Sequence, residues 1–360
     1  MVSVAHSSPP ARKSNEGVAL SVFLSRAKQR IVREVSMLLR FWSEFAEKYR
    51  IWYAFGVLCL VVTNGLTVAI PTFVQEAIDA LDRGEGLEGT FGWALTILLA
   101  GLTIMVVRTL SRILFFNPGR TIEYSVKSKL FENLLSLPQS FFNRYPPGDI
   151  ISRGTNDSNA MRALIGFASL QLFNVVFTLL LTLGRMFSMD LGLTLMCLCP
   201  LLIGGLIMRL AVILMFKLQA QLLAQLSTLS DTILENYTAV GLLQSYNALP
   251  GANARFDREN RRLLELSHDL LKIRAWLFPC TALCGQICVG LILYVGGQKA
   301  IDGALTIGEL SAFIAYVTIL VSGLQGLGWL IGSTQRGYIA LGRIYEALDE
   351  KAQRPPVRYE

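Results

Sequence analysis

The chain has 360 residues, of which 52% are hydrophobic, and it carries a formal net charge of +7 with only two histidines. The basic residues are separated by apolar runs of about 20 residues, which excludes a soluble domain that binds nucleic acid through a basic face. Histidine catalysis and histidine metal clusters are excluded too, because His6 lies in a polar tail and His268 in a charged helical segment.

The N-terminal 50 residues divide into a polar stretch and an amphipathic stretch. Residues 1–34 contain no apolar core, so we predict a mobile tail and no secretory signal peptide. Residues 35–50 place Phe41, Trp42 and Phe45 among basic side chains. This pattern predicts an elbow helix in the membrane interface, and an ordinary soluble helix is the alternative.

Six apolar spans follow, each close to the ~20 residues that cross a ~30 Å hydrocarbon core. They are Ile51–Ile70, Phe91–Val107, Ala163–Gly184, Leu191–Met208, Ala275–Gly297 and Leu310–Gly332. With both termini on one side, 30 of the 33 Lys and Arg residues fall on that side, and only Arg83, Arg185 and Lys299 fall on the other. Positive charge is retained in the cytoplasm, so we predict a multi-pass plasma-membrane protein with both termini cytoplasmic.

The two long loops on the predicted cytoplasmic side span residues 108–162 and 209–274. Structureless connections of 55 and 66 residues are uncommon in compact proteins. Both loops keep apolar residues at helical spacing, for example at Leu222, Leu226 and Leu229. We therefore predict that the membrane helices continue into water and are joined at their tips by short turns.

The cysteines give no sign of disulfide or metal chemistry. All six lie within the apolar spans, which excludes an exported disulfide framework. Cys280, Cys284 and Cys288 share one helical face. Soft-metal coordination is one interpretation of this row, but we predict close helix packing by a small apolar residue and no metal site.

A nucleotide-binding motif is also missing. The chain contains no Gly-Lys pair and hence no phosphate-binding loop of the G-x-x-x-x-G-K-[ST] type. We therefore expect no enzymatic activity and no bound cofactor for this chain alone.

The loop 118–162 carries the most specific pattern in the sequence. Its elements are Arg120, Leu130-Phe131, Leu134-Leu135, Leu137-Pro138, Phe141-Phe142, Gly148-Asp149, Ser152-Arg153, Thr155-Asn156-Asp157 and Arg162. In this pattern the loop resembles the first intracellular loop of ABC exporters of the six-helix, domain-swapped type. The form of the motif is most similar to bacterial multidrug-type half-transporters.

Three further segments resemble the same family, so the likeness extends over about 35–360. Residues 235–256 resemble its second intracellular loop, although Gln244 and Leu249 replace the usual basic and acidic residues. The matching positions are Glu235, Val240–Leu243, Tyr246 and Arg255-Phe256. Residues 303–316 and 335–350 resemble the start of the family's sixth helix and its exit toward a nucleotide-binding domain.

The resemblance implies an all-α membrane protein with six long transmembrane helices extended into the cytoplasm and coupling helices at the loop tips. Residues 51–345 are expected to form this domain, and residues 346–360 a linker toward a nucleotide-binding domain missing from this chain. A truncated sequence, a gene fragment and a two-gene arrangement are all compatible with the missing nucleotide-binding domain. ATP and Mg belong to that missing domain, which is supplied in cis or in trans.

The implied function is ATP-driven export across a bacterial inner membrane. The transporter is expected to be a homo- or heterodimer that moves a hydrophobic or amphipathic drug, lipid or peptide by alternating access. The bilayer is its other expected partner.

A nucleotide-binding domain outside the membrane can move the membrane helices only through rigid helices and a turn on which it docks. Six residues of the loops are candidates for coupling to that domain. They are Asp149, Arg153, Asn156, Asp157, Glu235 and Tyr246. Asp149 is predicted to be the N-cap of a new helix. Asn156 and Asp157 suit the polar rim of the docking turn, and Tyr246 its anchor on the second loop. A cap without a partner role for Asp149 and solvated positive charge for Arg153 are the alternatives.

Polar residues inside or at the ends of the spans are candidates for the substrate cavity. They are Gln171, Asn174, Gln286, Gln325, Arg108 and Arg209. The amides could equally join neighbouring helices by hydrogen bonds, and the arginines could reach the inner headgroups by snorkelling.

Two other classes of protein compete with an exporter. One is a motorless membrane scaffold or regulatory subunit. The other is a channel or secondary transporter, but neither a charged pore ring nor broken midplane helices stand out, and the long helical loops would be unexplained.

Overall fold

The computed structural model describes residues 36–84 and 86–350, which form eight helices and, within those ranges, no strand. The helices are α1 (Ser36–Asp82), α2 (Gly86–Ser136), α3 (Gln139–Arg144), α4 (Pro147–Met189), α5 (Leu191–Thr238), α6 (Val240–Ser245), α7 (Leu249–Ile301) and α8 (Ile307–Leu348). Residues 1–34 and 351–360, which include the predicted tail and most of the predicted linker, lie outside the described residues.

The all-helical membrane architecture predicted from sequence is confirmed. Helices α1, α2, α4, α5 and α7 are long and apolar enough to cross a membrane, and α8 contains a shorter apolar stretch, Ile307–Gly323. Helix α2 has 51 residues and α5 has 48. Lengths of about 75 Å, at ~1.5 Å per residue, greatly exceed a ~30 Å hydrocarbon core. The helices therefore continue beyond their apolar spans, as the loop composition predicts.

The described chain divides into two compact units, each with its own core. The first unit contains residues 36–56, 113–169 and 333–350, and the second contains 57–112 and 170–332. The main core of the first unit is formed by Phe41, Phe45, Ala46, Ile122, Val126, Met161, Leu341, Ile344 and Tyr345. Residues 36–49 are helical, and they expose Leu39 and Trp42 while burying Phe41 and Phe45. Their position in a membrane interface stays a prediction.

The second unit has a larger apolar core. It consists of Val68, Met186, Leu193, Cys197, Leu201, Cys288, Ile292, Leu305, Ala312, Phe313, Tyr316, Val317 and Leu320. The buried thiol of Cys288 lies 3.4 Å from the carbonyl oxygen of Cys197, which is a packing contact between α7 and α5. Among the described residues there is no group of three or more metal-ligating side chains.

Asp79 of α1 fixes the start of α8 within the second unit. Its carboxylate accepts hydrogen bonds from the backbone N–H of Gly308 at 3.0 Å and from the hydroxyl of Thr306 at 2.9 Å. A Cβ atom at position 308 would collide with the Gln75 carbonyl oxygen and with the Asp79 carboxylate. This close approach therefore requires glycine.

Gly308→Ala is expected to lower stability by about 1–3 kcal/mol, because the added methyl group must displace backbone atoms or break the Asp79 hydrogen bonds. The melting midpoint of the detergent-purified protein measures this loss. Gly297→Ala is the matched control, because no atom lies within 4 Å of the Cβ that it adds. Equal midpoints for the two variants would contradict the prediction.

Candidate functional site

Five charged residues of the first unit form one ion network, which we name the Arg153 cluster. Helix α4 contributes Asp149, Arg153 and Asp157, and α8 contributes Arg343 and Glu346. The three residues of α4 are four positions apart, so they lie along one side of the helix. The cluster thus joins the beginning of α4 to the end of α8.

Arg153 is the centre of the cluster and is only 2% exposed. Its Nε donates to Asp149 at 3.0 Å, and one terminal nitrogen donates to the carbonyl oxygen of Arg343 at 2.7 Å. The other terminal nitrogen lies 3.1 Å from the Glu346 carboxylate. The guanidinium carbon also lies 4.4 Å from the ring centroid of Tyr145, whose hydroxyl donates to Glu346 at 3.0 Å. All three nitrogens have partners, as a buried cation requires.

Asp149 does not cap α4, contrary to the sequence prediction. The N-cap is Pro146, without a side-chain cap bond, and Pro147 occupies the first turn. The Asp149 carboxylate instead contacts the guanidinium groups of Arg153 and Arg343. Charge-assisted hydrogen bonds to two full cations are stronger than bonds to neutral backbone amides, which explains the difference.

Burial also corrects the placement of two other candidates. Asp157 is buried and not on a solvent-facing rim, and its Oδ2 atom lies 3.4 Å from Arg343. Arg153 is buried more deeply still, so the alternative of a solvated charge is wrong. Asn156 is exposed and contacts Ser152 at 3.3 Å. Of the four predicted coupling residues in α4, Asn156 alone is fully at the surface.

The remaining coupling candidates lie in the second unit, where α6 connects α5 to α7. Tyr246 is 78% exposed, and Glu235 pairs with Arg255 at 2.9 Å between the two long helices. Asn247 turns the chain toward α7 with a φ of 51°, a left-handed conformation that asparagine tolerates. A surface cavity of about 550 Å³ is lined by Asp231, Leu234, Glu235, Thr238 and Ala239. Tyr246 is not among the lining residues of this cavity, and its docking role stays a prediction.

Two of the predicted cavity residues take part in polar contacts within the second unit. Asn174 accepts a hydrogen bond from buried Asn64 at 3.2 Å, and Asn64 in turn accepts one from Thr178 at 2.6 Å. Arg108 approaches the hydroxyl of Thr67 at 3.4 Å. Asn64, which sequence reasoning did not select, therefore makes two of the polar contacts between α1 and α4, and the contact of Arg185 with Thr72 at 3.2 Å is another.

The other cavity candidates are not brought together. Gln171 lies close to Gly326, where a Cβ would be 3.1 Å from its amide nitrogen. Gln286 and Arg209 are exposed on α7 and α5. The side chain of Gln325 lies outside the described part of the structure.

A second ion pair ties the N-terminal helical segment to the end of α8. Arg40 makes a bidentate contact with Asp349 at 2.6 and 2.8 Å, and its guanidinium carbon lies 4.5 Å from the ring centroid of Tyr345. The hydrogen bonds from Arg40 hold the pKa of Asp349 below its usual range, against the opposing effect of partial burial. Asp349 directly precedes the end of the described chain.

The lowered pKa gives the Arg40–Asp349 pair a predictable pH dependence. Its contribution is present above the unfolded-state pKa of about 4 and is lost as pH falls through the lower folded-state value. Asp349→Asn should remove this acid dependence and cost at most about 1 kcal/mol at pH 7, because both side chains are half exposed. Melting midpoints at pH 7 and pH 3 measure both effects, with Glu265→Gln as an exposed-pair control. An acid dependence unchanged from the parent would contradict the prediction.

These helices define a multi-pass helical membrane protein. The ABC transporter transmembrane region family matches the chain over residues 53–324, and the chain belongs to this family. The chain is 28% identical to the ABC multidrug transporter mdr2 of Aspergillus fumigatus over 85% of the chain's own length. It is 25% identical to the probable multidrug resistance ABC transporter ATP-binding/permease protein YheI of Bacillus subtilis over 84%.

A further relative is the ATP-dependent lipid A-core flippase of Syntrophus aciditrophicus, which is 24% identical over 82% of the chain. The matches cover 40%, 52% and 49% of these three proteins, respectively. The chain therefore spans about half the length, or less, of the curated relatives that it matches.

Proposed function

We propose that this chain is the membrane half of an ATP-driven exporter that works as a dimer by alternating access in a bacterial inner membrane. Its relatives include multidrug transporters and a lipid A-core flippase, which supports a hydrophobic or amphipathic cargo. ATP and Mg are bound by a nucleotide-binding domain in cis or in trans, because this chain contains no phosphate-binding loop.

The Arg153 cluster is the observation that most supports coupling between a nucleotide-binding domain and the membrane helices. Movement of a nucleotide-binding domain can reach the membrane helices only through packed contacts and ion pairs that join rigid elements. The cluster links α4 to α8, and both helices contain apolar spans. Movement imposed on the beginning of α4 or on the end of α8 is thus transmitted to both helices together.

Reconstituted transport tests the proposal. The chain is produced with its downstream coding sequence or, if that encodes no ATPase, with a separately encoded ABC ATPase, and is inserted into liposomes. ATP-dependent movement of a fluorescent amphipathic dye or of a labelled lipid is the expected result, and vanadate should stop it. Dye or lipid movement that is equal with and without ATP would refute an ATP-driven exporter.

The proposed topology predicts which introduced cysteines an impermeant maleimide reaches from outside the cell. In a chain with its native thiols removed, Ile301→Cys should react in intact cells, because this residue is highly exposed and lies on the predicted outer side. Tyr246→Cys should react only after the membrane is permeabilised. Reaction of position 246 in intact cells would overturn the proposed orientation.

A further inference from the structure

A groove of about 350 Å³ lies between α5 and α7 in the second unit. It is lined by Ile207, Leu210, Ala211, Leu214, Lys272, Ile273, Trp276, Leu277 and Cys280. Its volume falls in the ~300–1,000 Å³ range of small-molecule sites. Apart from Lys272, the lining residues are apolar or aromatic, so the groove suits a hydrocarbon chain better than a polar solute.

The groove lies where the apolar spans end. Helices α5 and α7 run antiparallel, since Cys197 contacts Cys288 while Gln225 contacts Glu259. The groove therefore extends from Ile207, inside the fourth apolar span, to residues just beyond it, and on α7 from within the fifth span to the basic segment that precedes it. This level corresponds to the boundary between hydrocarbon and headgroups.

Two lining side chains are typical of that boundary. Trp276 is 71% exposed, and tryptophan is enriched at the headgroup level of membranes. Lys272 stands one helical turn away on the same helix, where its aliphatic stem can follow the groove while its ammonium group stays in the headgroup layer. An exposed indole and an ammonium group therefore border the same apolar groove.

The charge around the groove is predominantly positive. Residues 207–217 and 269–280 contain four basic side chains and one acidic side chain, Asp269. Lys217 continues the row of Leu210 and Leu214 at helical spacing. Asp269 pairs with Lys272 at 3.1 Å, but both side chains are more than half exposed, so this pair is weak. Basic pockets between membrane helices bind anionic lipid headgroups.

We propose that this groove binds an anionic phospholipid, with one acyl chain along the apolar wall and the phosphate at Lys272. The apolar lining accounts for the acyl chain, and the ammonium group of Lys272, the one basic side chain in the lining, accounts for the headgroup. Trp276 borders both parts of the lipid. The lining residues belong to α5 and α7, whereas Asn64 contacts residues of α4, and the proposed binding does not depend on ATP or on transport.

Quenching of Trp276 fluorescence by brominated acyl chains tests the proposal. The whole chain is placed in phosphatidylcholine nanodiscs that contain increasing fractions of acyl-brominated phosphatidylglycerol or phosphatidylcholine. The Trp276 signal is the difference between the parent and Trp276→Phe. Half-quenching is expected at an about fivefold lower fraction of the anionic lipid, the effect of one ammonium group near an anionic headgroup.

Two variants and one matched control separate the headgroup from the chain. Lys272→Gln should abolish the fivefold preference, whereas Arg274→Gln, two residues away and not in the groove lining, should retain most of it. Ala211→Phe fills the groove and should weaken quenching by both lipids. Unchanged elution volumes establish that each variant is folded.

The proposal is overturned by equal quenching by both lipids in the parent, or by quenching that Ala211→Phe leaves unchanged. It is overturned as well if Arg274→Gln removes the preference as fully as Lys272→Gln, since charge anywhere on the surface would then suffice. A Trp276 signal that neither lipid quenches would mean that another protein surface, such as a second copy, covers the groove, and would also overturn it.

Discussion

The Arg153→Met variant is expected to lose ATP-dependent transport and about 3 kcal/mol of stability. Methionine fills much of the same volume but cannot donate to Asp149, Glu346 or the carbonyl oxygen of Arg343. Removing one partner of a buried ion pair leaves the other charge uncompensated, although exposure of Glu346 to solvent reduces the penalty. The nucleotide-binding domain should keep its basal ATP hydrolysis, since the motor itself is unaltered.

Transport and hydrolysis measured on the same reconstituted sample separate uncoupling from loss of folded protein. Arg162→Met is the matched control, because Arg162 lies on the same helix but is partly exposed and pairs with Glu123 at 3.3 Å. Glu123 retains Lys127 at 2.7 Å after this substitution, so a cost below about 1 kcal/mol is expected. Transport that is equally reduced by both substitutions would show that the Arg153 cluster has no special role.

Tyr246→Ala is expected to weaken the association of a nucleotide-binding domain about 30-fold, which corresponds to the loss of about 2 kcal/mol at one docking anchor. Stability of the chain itself should be unchanged, because Tyr246 is largely exposed to solvent. The affinity of the separately purified domain for the chain in nanodiscs measures the effect.

Tyr124→Ala provides the control for Tyr246, since Tyr124 is a similarly exposed tyrosine on α2. Its removal should leave the affinity within about twofold of the parent, as expected for an exposed side chain outside the docking tip. An unchanged affinity of Tyr246→Ala, with the domain otherwise bound normally, would mean that docking uses other residues of the tip.

The helices could be predicted from the sequence because their signal is local and strong. Apolar runs of about 20 residues and the helical spacing of Leu222 and Leu226 each depend only on nearby residues. The environment of Asp149 could not be predicted in the same way. Local capping rules favoured an N-cap, whereas its second partner, Arg343, is 194 residues away in sequence.

Burial of charge was the second feature that local patterns concealed. Arg153 lies after Gly148 and Asp149 in a polar stretch of sequence, which predicts a solvated cation. In the structure it is buried because Tyr145 and α8 pack against it. The polar contacts of Asn64 could not be predicted either. Asn64 is a single amide in an apolar span, and its hydrogen-bond partner lies in α4, which the sequence around Asn64 does not indicate.

The Arg40–Asp349 contact has a consequence for the biogenesis of the protein. The two residues are separated by 309 positions. A ribosome that adds about 5–20 residues per second therefore incorporates Asp349 roughly 15–60 s after Arg40. Phe41 and Phe45 pack against Leu341 and Tyr345, which emerge equally late. During this interval the two phenylalanines have not met these partners. A ribosome stalled before residue 341 thus produces a chain with an apolar N-terminal surface that chaperones and quality-control proteases can recognise.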